Sequence, residues 1–391
     1  MTNLEVSQIK RRIPQAEVVP RLKIAFVVHD YHRSGGHSRY VAELATRFSE
    51  DHEIHVFANA FESDGSPGVH FHKVPAWRLN ALTTILSFAI PAMSRVGRDF
   101  DIVHVQGYCG PRGNVVTTHM CNDAWFRALF TQGEPPTWRD RIFHLITTAL
   151  ERKLYRKTPA KQVIAISRLV ARNVAELYQC EVPKHIIYHG VDLATFSPAT
   201  RKQLRSEERL RLGIPEDETV FLFVGNLRKG AKQCLRALAR IDSGVLLLVS
   251  PTPAGPYEAL AEELGCRSRA LFPGPTNRVE RAYAAADVLV FPTPYDAFGL
   301  TITEAMACGL PVVTSREAGA SELILHGKNG LLLENAANDA ELADCMQQLR
   351  GNRSLMVDLG VTARKTVEGF SWDSVAELTM QVYQQTVVRR R

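Results

Sequence analysis

The stretch Phe291-Pro-Thr-Pro-Tyr-Asp296-Ala-Phe-Gly-Leu-Thr-Ile-Thr-Glu304-Ala-Met-Ala-Cys-Gly309-Leu-Pro311 decides the fold. It reads as strand, loop, helix and stop. The apolar run Asp287-Val-Leu-Val-Phe291 ends at Pro292 and Pro294, which cannot continue a sheet ladder. Ala305, Met306 and Ala307 favour helix, Gly309 suits a helix C-cap, and Pro311 blocks continuation. Residues 296–300 are then the loop that delivers the chain into a short helix. The first amides of that helix lack partners inside it and carry the positive end of its dipole, so a phosphate can sit there without a metal. Asp296 and Glu304 frame the spot. Glu304 falls about one turn into the helix, so both acids can face one cleft. An ordinary strand-to-helix turn with a solvated acid at each end has the same spacing.

With these residues in place, the stretch resembles the donor-binding motif of glycosyltransferase family 4, a large retaining family. That motif is an acid, seven residues and a glutamate, with Phe-Gly-Leu between them and Glu-Ala-Met-Ala-Cys-Gly-Leu-Pro-Val-Val from the glutamate onward. Glu304 matches it; Asp296 stands where the family has Glu and is one methylene shorter. The fold the resemblance implies is α/β; GT-B, two doubly wound Rossmann-like domains facing an interdomain cleft. The activity it implies is retaining transfer of a hexose from a nucleotide-diphosphate sugar, UDP-sugar favoured, to a glycan or glycolipid acceptor. Cell-surface polysaccharide or lipopolysaccharide biosynthesis is the implied setting, with no cofactor and no metal.

Length and composition agree with two soluble domains. A chain of 391 residues is long for one core and suggests two domains of roughly 190 residues each. Hydrophobic and charged fractions of 45% and 23% are those of a globular protein. The first twenty residues show no signal-peptide pattern, and the apolar run from Ala81 to Met93 is too short to span a bilayer. Seven cysteines lie singly, without zinc-site spacing, as suits a reducing cytoplasm. The formal charge of +6 falls entirely within residues 1–195. That is too sparse for a nucleic-acid module, and it fits peripheral contact with an anionic membrane or a phosphorylated glycolipid. The expected location is cytoplasmic, at the inner face of the plasma membrane where membrane contact occurs.

Along the chain, residues 1–20 read as a loose leader, 21–193 as an acceptor-side Rossmann-like domain, 194–370 as the nucleotide-sugar-binding domain and 371–391 as a helix crossing back. Lys23–Val28 is a buried parallel strand that runs through Gly35 and Gly36 into a helix from Tyr40 to Phe48. Two adjacent glycines are not a dinucleotide fingerprint. They resemble the family's first glycine loop, whose backbone approaches donor phosphate or acceptor; a tight turn with no ligand has the same composition. The segment from Arg78 to Arg98 is apolar in the middle and basic at its ends, so a helix there can pack in the core or lie on a membrane surface, with core packing the expected fate. Asp99-Phe-Asp101 reads as a helix-to-strand turn. The strand Val115–His119 ends in a histidine at its carboxyl edge, where open α/β sheets bind ligands. His119 matches the family histidine near the reacting sugar, although a structural histidine fits as well. Residues 121–160, aromatic and basic, are the expected acceptor-reading insertion, and Ile186–Asp192 resembles the family's Asn-Gly-Val-Asp linker with His189 for Asn.

In the second half, Val220–Gly225 meets Asn226-Leu-Arg228-Lys229-Gly230 before a helix from Ala231 to Arg240. Arg and Lys beside a helix start can clamp a diphosphate, although plain surface charge reads the same way, and the Arg-Lys-Gly spelling is similar to that of lipopolysaccharide-core heptose glucosyltransferases. The resemblance assigns Asp296, His119 and Glu304 to catalysis. It assigns the donor phosphates to Arg228, Lys229 and the amides of Phe298, Gly299 and Leu300, the ribose to Glu304, and the base to the backbone of Pro273, Gly274 and Thr276. Two rivals stand beside it: hydrolysis or epimerisation of a nucleotide sugar on the same fold, and a catalytically silent glycan-binding scaffold.

Overall fold

A computed structural model of the chain describes residues 20–33, 35–62, 67–110, 113–131, 137–156, 160–182 and 184–388. Residues 1–19 of the expected leader and the terminal arginines Arg389–Arg391 lie outside them. The apolar runs form two parallel sheets. The first contains β1 (Lys23–Val27), β2 (Glu53–Ala58), β3 (Val69–Lys73), β4 (Ile102–Gln106), β5 (Val115–Thr118), β6 (Gln162–Ala165) and β7 (Lys184–Ile186), in the spatial order β3-β2-β1-β4-β5-β6-β7. The second contains β8 (Val220–Val224), β9 (Val245–Val249), β10 (Ala270–Leu271), β11 (Val288–Phe291), β12 (Val312–Ser315) and β13 (Leu331–Leu333), in the order β10-β9-β8-β11-β12-β13.

Both sheets are doubly wound. β1 pairs with β2 on one side (Ile24 opposite Ile54) and with β4 on the other (Ile24 opposite Ile102). β8 likewise lies between β9 and β11. Helices cover both faces, which is why residues 220–224 are buried without alternation. The strand order reverses between β1 and β4, and again between β8 and β11, and the carboxyl ends there open a crevice in each domain. Asp287, at the entry to β11, anchors that strand. It accepts from Arg205 (2.7 Å), the fully buried Arg209 (2.6 Å) and the Val220 amide (2.9 Å).

The domains are joined by more than the linker. Glu322 of the second domain accepts from the amides of Arg168 (3.0 Å) and Leu169 (2.7 Å), capping the first-domain helix Arg168–Tyr178. The helix Trp372–Val388 lies on the helix Gly36–Phe48, with Tyr383 Oη 2.6 Å from His104 Nδ1 and Arg47 paired with Asp373. Gly190 permits that crossing, because a Cβ there would sit 2.7 Å from Trp372 Cδ2.

Two local departures from expectation stand out, and the insertion takes a defined form. The first helix begins at Gly36, four residues early, since Gly35 takes φ 89° and Ser38 Oγ donates to the Asp30 carbonyl. The Arg78–Arg98 segment forms the helix Ala81–Arg95, which buries Phe88 and Ala92 but leaves Ile90 exposed, so only one face joins the core. The insertion forms two helices, Asn122–Thr131 and Trp138–Arg156, which wall the first-domain crevice. Asp99 and Asp101 both bind Lys23, through its ammonium (2.7 Å) and its amide (2.8 Å).

Candidate active site

The second-domain crevice gathers the charged residues singled out in the sequence. β8 ends in Gly225 and a turn that carries Arg228 and Lys229; β11 ends in the loop that carries Asp296. Gly230 lets the two loops close up, since its φ is 115° and a Cβ would meet the Pro292 carbonyl at 2.5 Å. Lys229 Nζ lies 2.7 Å from Asp296 Oδ2 and 5.6 Å from the centre of the Trp125 ring, which belongs to the first domain. Asp296 Oδ1 accepts from the Phe298 amide at 3.1 Å, an Asx-type turn open to a short acid. That amide is therefore already engaged. Gly299, at φ 89°, starts the helix Leu300–Ala307. Arg228 is exposed on the rim and helps hold Asp140 of the first domain below the usual carboxylate range, after the closer hydrogen bonds from Thr137. Pro273 and Thr276 are exposed in the loop after β10, with Gly274 at φ 84°.

Glu304 is 7% exposed. Burial pushes its carboxyl up, opposed by Arg39 and by the Tyr283 hydroxyl. Tyr283 Oη donates to Oε2 at 2.9 Å, and Arg39 Nη1 reaches Oε1 at 3.3 Å from the other domain.

Facing this charged crevice is a column of rings. His119 follows β5 and is 6% exposed; its Nε2 is 2.8 Å from Gln106 Oε1, and its Nδ1 has no hydrogen-bond partner among the described residues. Its ring lies 4.4 Å from His37, 5.1 Å from Tyr40 and 5.5 Å from His189. His189 in turn touches Phe298 (5.3 Å) and Trp372 (5.8 Å). The aromatic chain thus runs from the first-domain histidine to the loop after β11. Gly35 and Gly36 are exposed immediately before His37. Beyond His119 opens a cavity of about 590 Å³, lined by His29, Arg78, Gln106, Asn122 and Glu151 among others. Buried Glu151, pushed up to about 7 by desolvation, accepts from Asn122 N (2.8 Å), Asn122 Nδ2 (3.0 Å) and the Tyr178 hydroxyl.

Sequence reasoning missed Arg39, Tyr283, Gln106 and Glu151. Arg39 and Tyr283 lie 265 and 21 residues from the acid they bind. Only Glu151 carried a local signal, as an acid within an aromatic, basic insertion.

Two crevices opposed across a linker, one charged and one with a polar cavity, define a two-domain GT-B architecture. The "Glycosyl transferases group 1" family matches residues 205–366, and "Glycosyltransferase Family 4" matches residues 34–195. The chain belongs to the family 4 glycosyltransferases. It is 28% identical to a D-inositol 3-phosphate glycosyltransferase of Xylanimonas cellulosilytica, over 91% of this chain and 93% of the relative. It is also 28% identical to an uncharacterised glycosyltransferase of Methanocaldococcus jannaschii, over 93% and 98%. Among solved structures, WaaG, a glycosyltransferase involved in lipopolysaccharide biosynthesis, superposes with a TM-score of 0.79 at 21% identity, covering 92% of this chain and 99% of WaaG. HepE of Anabaena, crystallised with UDP-glucose, gives 0.70 at 19% identity, covering 93% and 100%. At those identities the structural likeness speaks for the fold.

His189, where the family linker has Asn, gives a pH test. It is 3% exposed, and burial holds its imidazole down to about 3. The folded protein keeps it neutral where the unfolded chain takes up a proton near pH 6.5. Its contribution to stability is therefore intact above about pH 6.5 and is lost as pH falls toward 3. His189→Asn should flatten the decline by up to about 1.4 kcal/mol per pH unit, read by urea unfolding between about pH 7.5 and 5. Parallel pH profiles for the two proteins would contradict this.

Proposed function

We propose that the protein transfers a hexose from a nucleotide-diphosphate sugar, with retention of configuration, to a glycan or glycolipid acceptor. One observation carries the reading: Lys229 pairs with Asp296, Asp296 holds the Phe298 amide just before the Leu300–Ala307 helix that carries Glu304, and Phe298 reaches His119 through His189. Arg228, Lys229 and the amides of Gly299 and Leu300 would offset charge on the leaving diphosphate. The Phe298 amide would join them once Asp296 turns to the sugar. This preorganised charge would do the work of a metal. Lys229 would exchange Asp296 for phosphate, and Asp296 would then hold sugar hydroxyls beside His119. Glu304 would hold the ribose, and the backbone of Pro273, Gly274 and Thr276 the base. Gly35 and Gly36, at an exposed helix start beside His37, would lie against donor phosphate or acceptor. The acceptor would enter the cavity of about 590 Å³. Its oxygen would form the new bond on the face from which the sugar–phosphate bond breaks. UDP-glucose bound to the related HepE fold favours a UDP-sugar, and the WaaG likeness favours lipopolysaccharide or surface-polysaccharide synthesis.

The direct experiment supplies UDP-hexoses and candidate acceptors in excess EDTA and reads the product anomer by NMR. A retained glycosidic product is expected. Activity lost in EDTA and restored by magnesium or manganese would contradict metal-independent transfer. Free sugar or an epimer as the sole product would point to hydrolysis or epimerisation.

The two acids should fail differently. Glu304 would touch a part of the donor that does not react, so Glu304→Gln should raise the donor Michaelis constant. Efficiency should fall roughly 10- to 150-fold, the worth of a charged hydrogen bond. Asp296→Asn should lower turnover more than donor affinity, and Asp296→Glu should keep activity within about tenfold. Full turnover by Asp296→Asn would reduce Asp296 to a loop residue.

We also propose peripheral contact of the first domain with an anionic membrane. Among the described residues no helix is long and apolar enough to cross one. Trp77 (74% exposed) and Leu79 (83%) alternate with Arg78 and Asn80, which line the cavity. Trp138, Ile142 and Leu145 form an exposed stripe on their helix beside exposed Arg139 and Arg141. The chain should float with anionic vesicles and be released at about 0.5 M salt, and Leu79→Ser with Ile90→Ser should weaken binding. Salt-insensitive flotation, or flotation unchanged by these substitutions, would contradict it.

A further inference from the structure

We infer that Arg39 is a positioning residue for donor binding, reaching from the first domain to aim the Glu304 carboxylate, so that the ribose site is complete only when the two domains are apposed. The inference rests on the reading of Glu304 as the ribose acceptor.

The geometry is specific. Arg39 lies in the first turn of the Gly36–Phe48 helix, yet its Nη1 stands 3.3 Å from Glu304 Oε1 in the other domain. Its own helix offers Glu43, whose carboxylate is farther from Arg39, at 3.8 Å. The guanidinium lies over Trp372 at 5.9 Å, so the C-terminal helix helps fix its direction. Both side chains are largely out of water, at 18% and 10% exposure. On the far side Tyr283, itself fully buried, donates to Oε2 at 2.9 Å.

A carboxylate offers about four acceptor sites. Among the described residues Arg39 and Tyr283 use one on each oxygen, which leaves one on each for a ligand. That is the pattern a vicinal diol fills, one hydroxyl to each oxygen. The arrangement works only while Glu304 is ionised, because a protonated carboxyl loses an acceptor site. Burial opposes ionisation, and so does the negative charge of Asp192 on the linker. Cys308, the residue that ends Glu304's helix, is held as a thiol by burial. Among the described residues that face Glu304, which are Arg39 from the first helix, Tyr283, Asp192 and Cys308, Arg39 is the cation. Without it, the carboxyl escapes the cost of an uncompensated buried charge by taking a proton.

A pH profile separates this role from that of a domain staple. The probe is UDP, or whichever nucleoside diphosphate most raises the melting temperature, titrated by calorimetry between about pH 6 and 9 into the full chain. Arg39→Gln is expected to weaken binding tenfold or more at neutral pH, with recovery as pH rises. The midpoint of its pH profile should lie about one unit or more above that of wild type. Arg39→Lys should restore binding and profile together. In a Glu304→Gln background, which has no carboxyl to titrate, Arg39→Gln should add little and should leave the remaining pH dependence, that of the UDP phosphate included, unchanged. Pyrophosphate, which lacks a ribose, should bind alike to all variants. A pH-independent loss in Arg39→Gln that adds to the Glu304→Gln loss would overturn the positioning role while leaving the ribose reading intact. Wild-type UDP affinity in Glu304→Gln would overturn both. Should Arg39→Gln fail to fold, Arg39→Met takes its place, since it keeps an apolar stem against Trp372 but carries no charge, and a wild-type pH midpoint in that variant would overturn the positioning role.

Discussion

A buried carboxylate at the meeting of two domains is the constraint on which the site depends. Glu304 has little water to solvate it, and its compensation comes from a tyrosine of its own domain and an arginine of the other. The pairing therefore ties the chemistry of the second domain to the placement of the first. The ring column from His119 through His189 to Phe298 and the Glu322 cap on the Arg168–Tyr178 helix enforce the same placement by other means. One is apolar contact and the other is helix-end hydrogen bonding.

The second pair, Lys229 with Asp296, shows how the site stores charge before a ligand arrives. Each group satisfies the other at 2.7 Å, and Asp296 also engages the Phe298 amide. A diphosphate would compete with Asp296 for both the lysine and the amide, freeing the acid to turn to the sugar. The short side chain makes that exchange plausible in a way a longer one would not, because the Asx turn closes over only two residues.

Much of this was legible in the sequence because it is local. Continuous apolar runs such as Val220–Val224 and Val288–Phe291 can only be buried parallel strands once Gly225 and Pro292 stop them. The two-domain arrangement and the strand-end positions of His119, Lys229 and Asp296 follow from the same punctuation. What the sequence hid is long-range or one-sided. Nothing near Arg39 announces a partner 265 residues away, and nothing near Glu322 announces a helix 154 residues back. The Ala81–Arg95 helix is apolar enough to look like core throughout, and only its tertiary placement leaves Ile90 in water. The Phe298 amide was expected to be open, and a shorter acid at position 296 has engaged it.

The measurement that bears most directly on the account compares the affinity of the wild-type protein for UDP with that for its 2′,3′-dideoxy analogue. If Glu304, held by Arg39 and Tyr283, reads the ribose diol, the analogue leaves a buried carboxylate with unfilled acceptor sites. Its affinity should then fall by about 1.5–3 kcal/mol, roughly 10- to 150-fold. Equal affinities would contradict the account, because the buried acid would then have no part in recognising the donor.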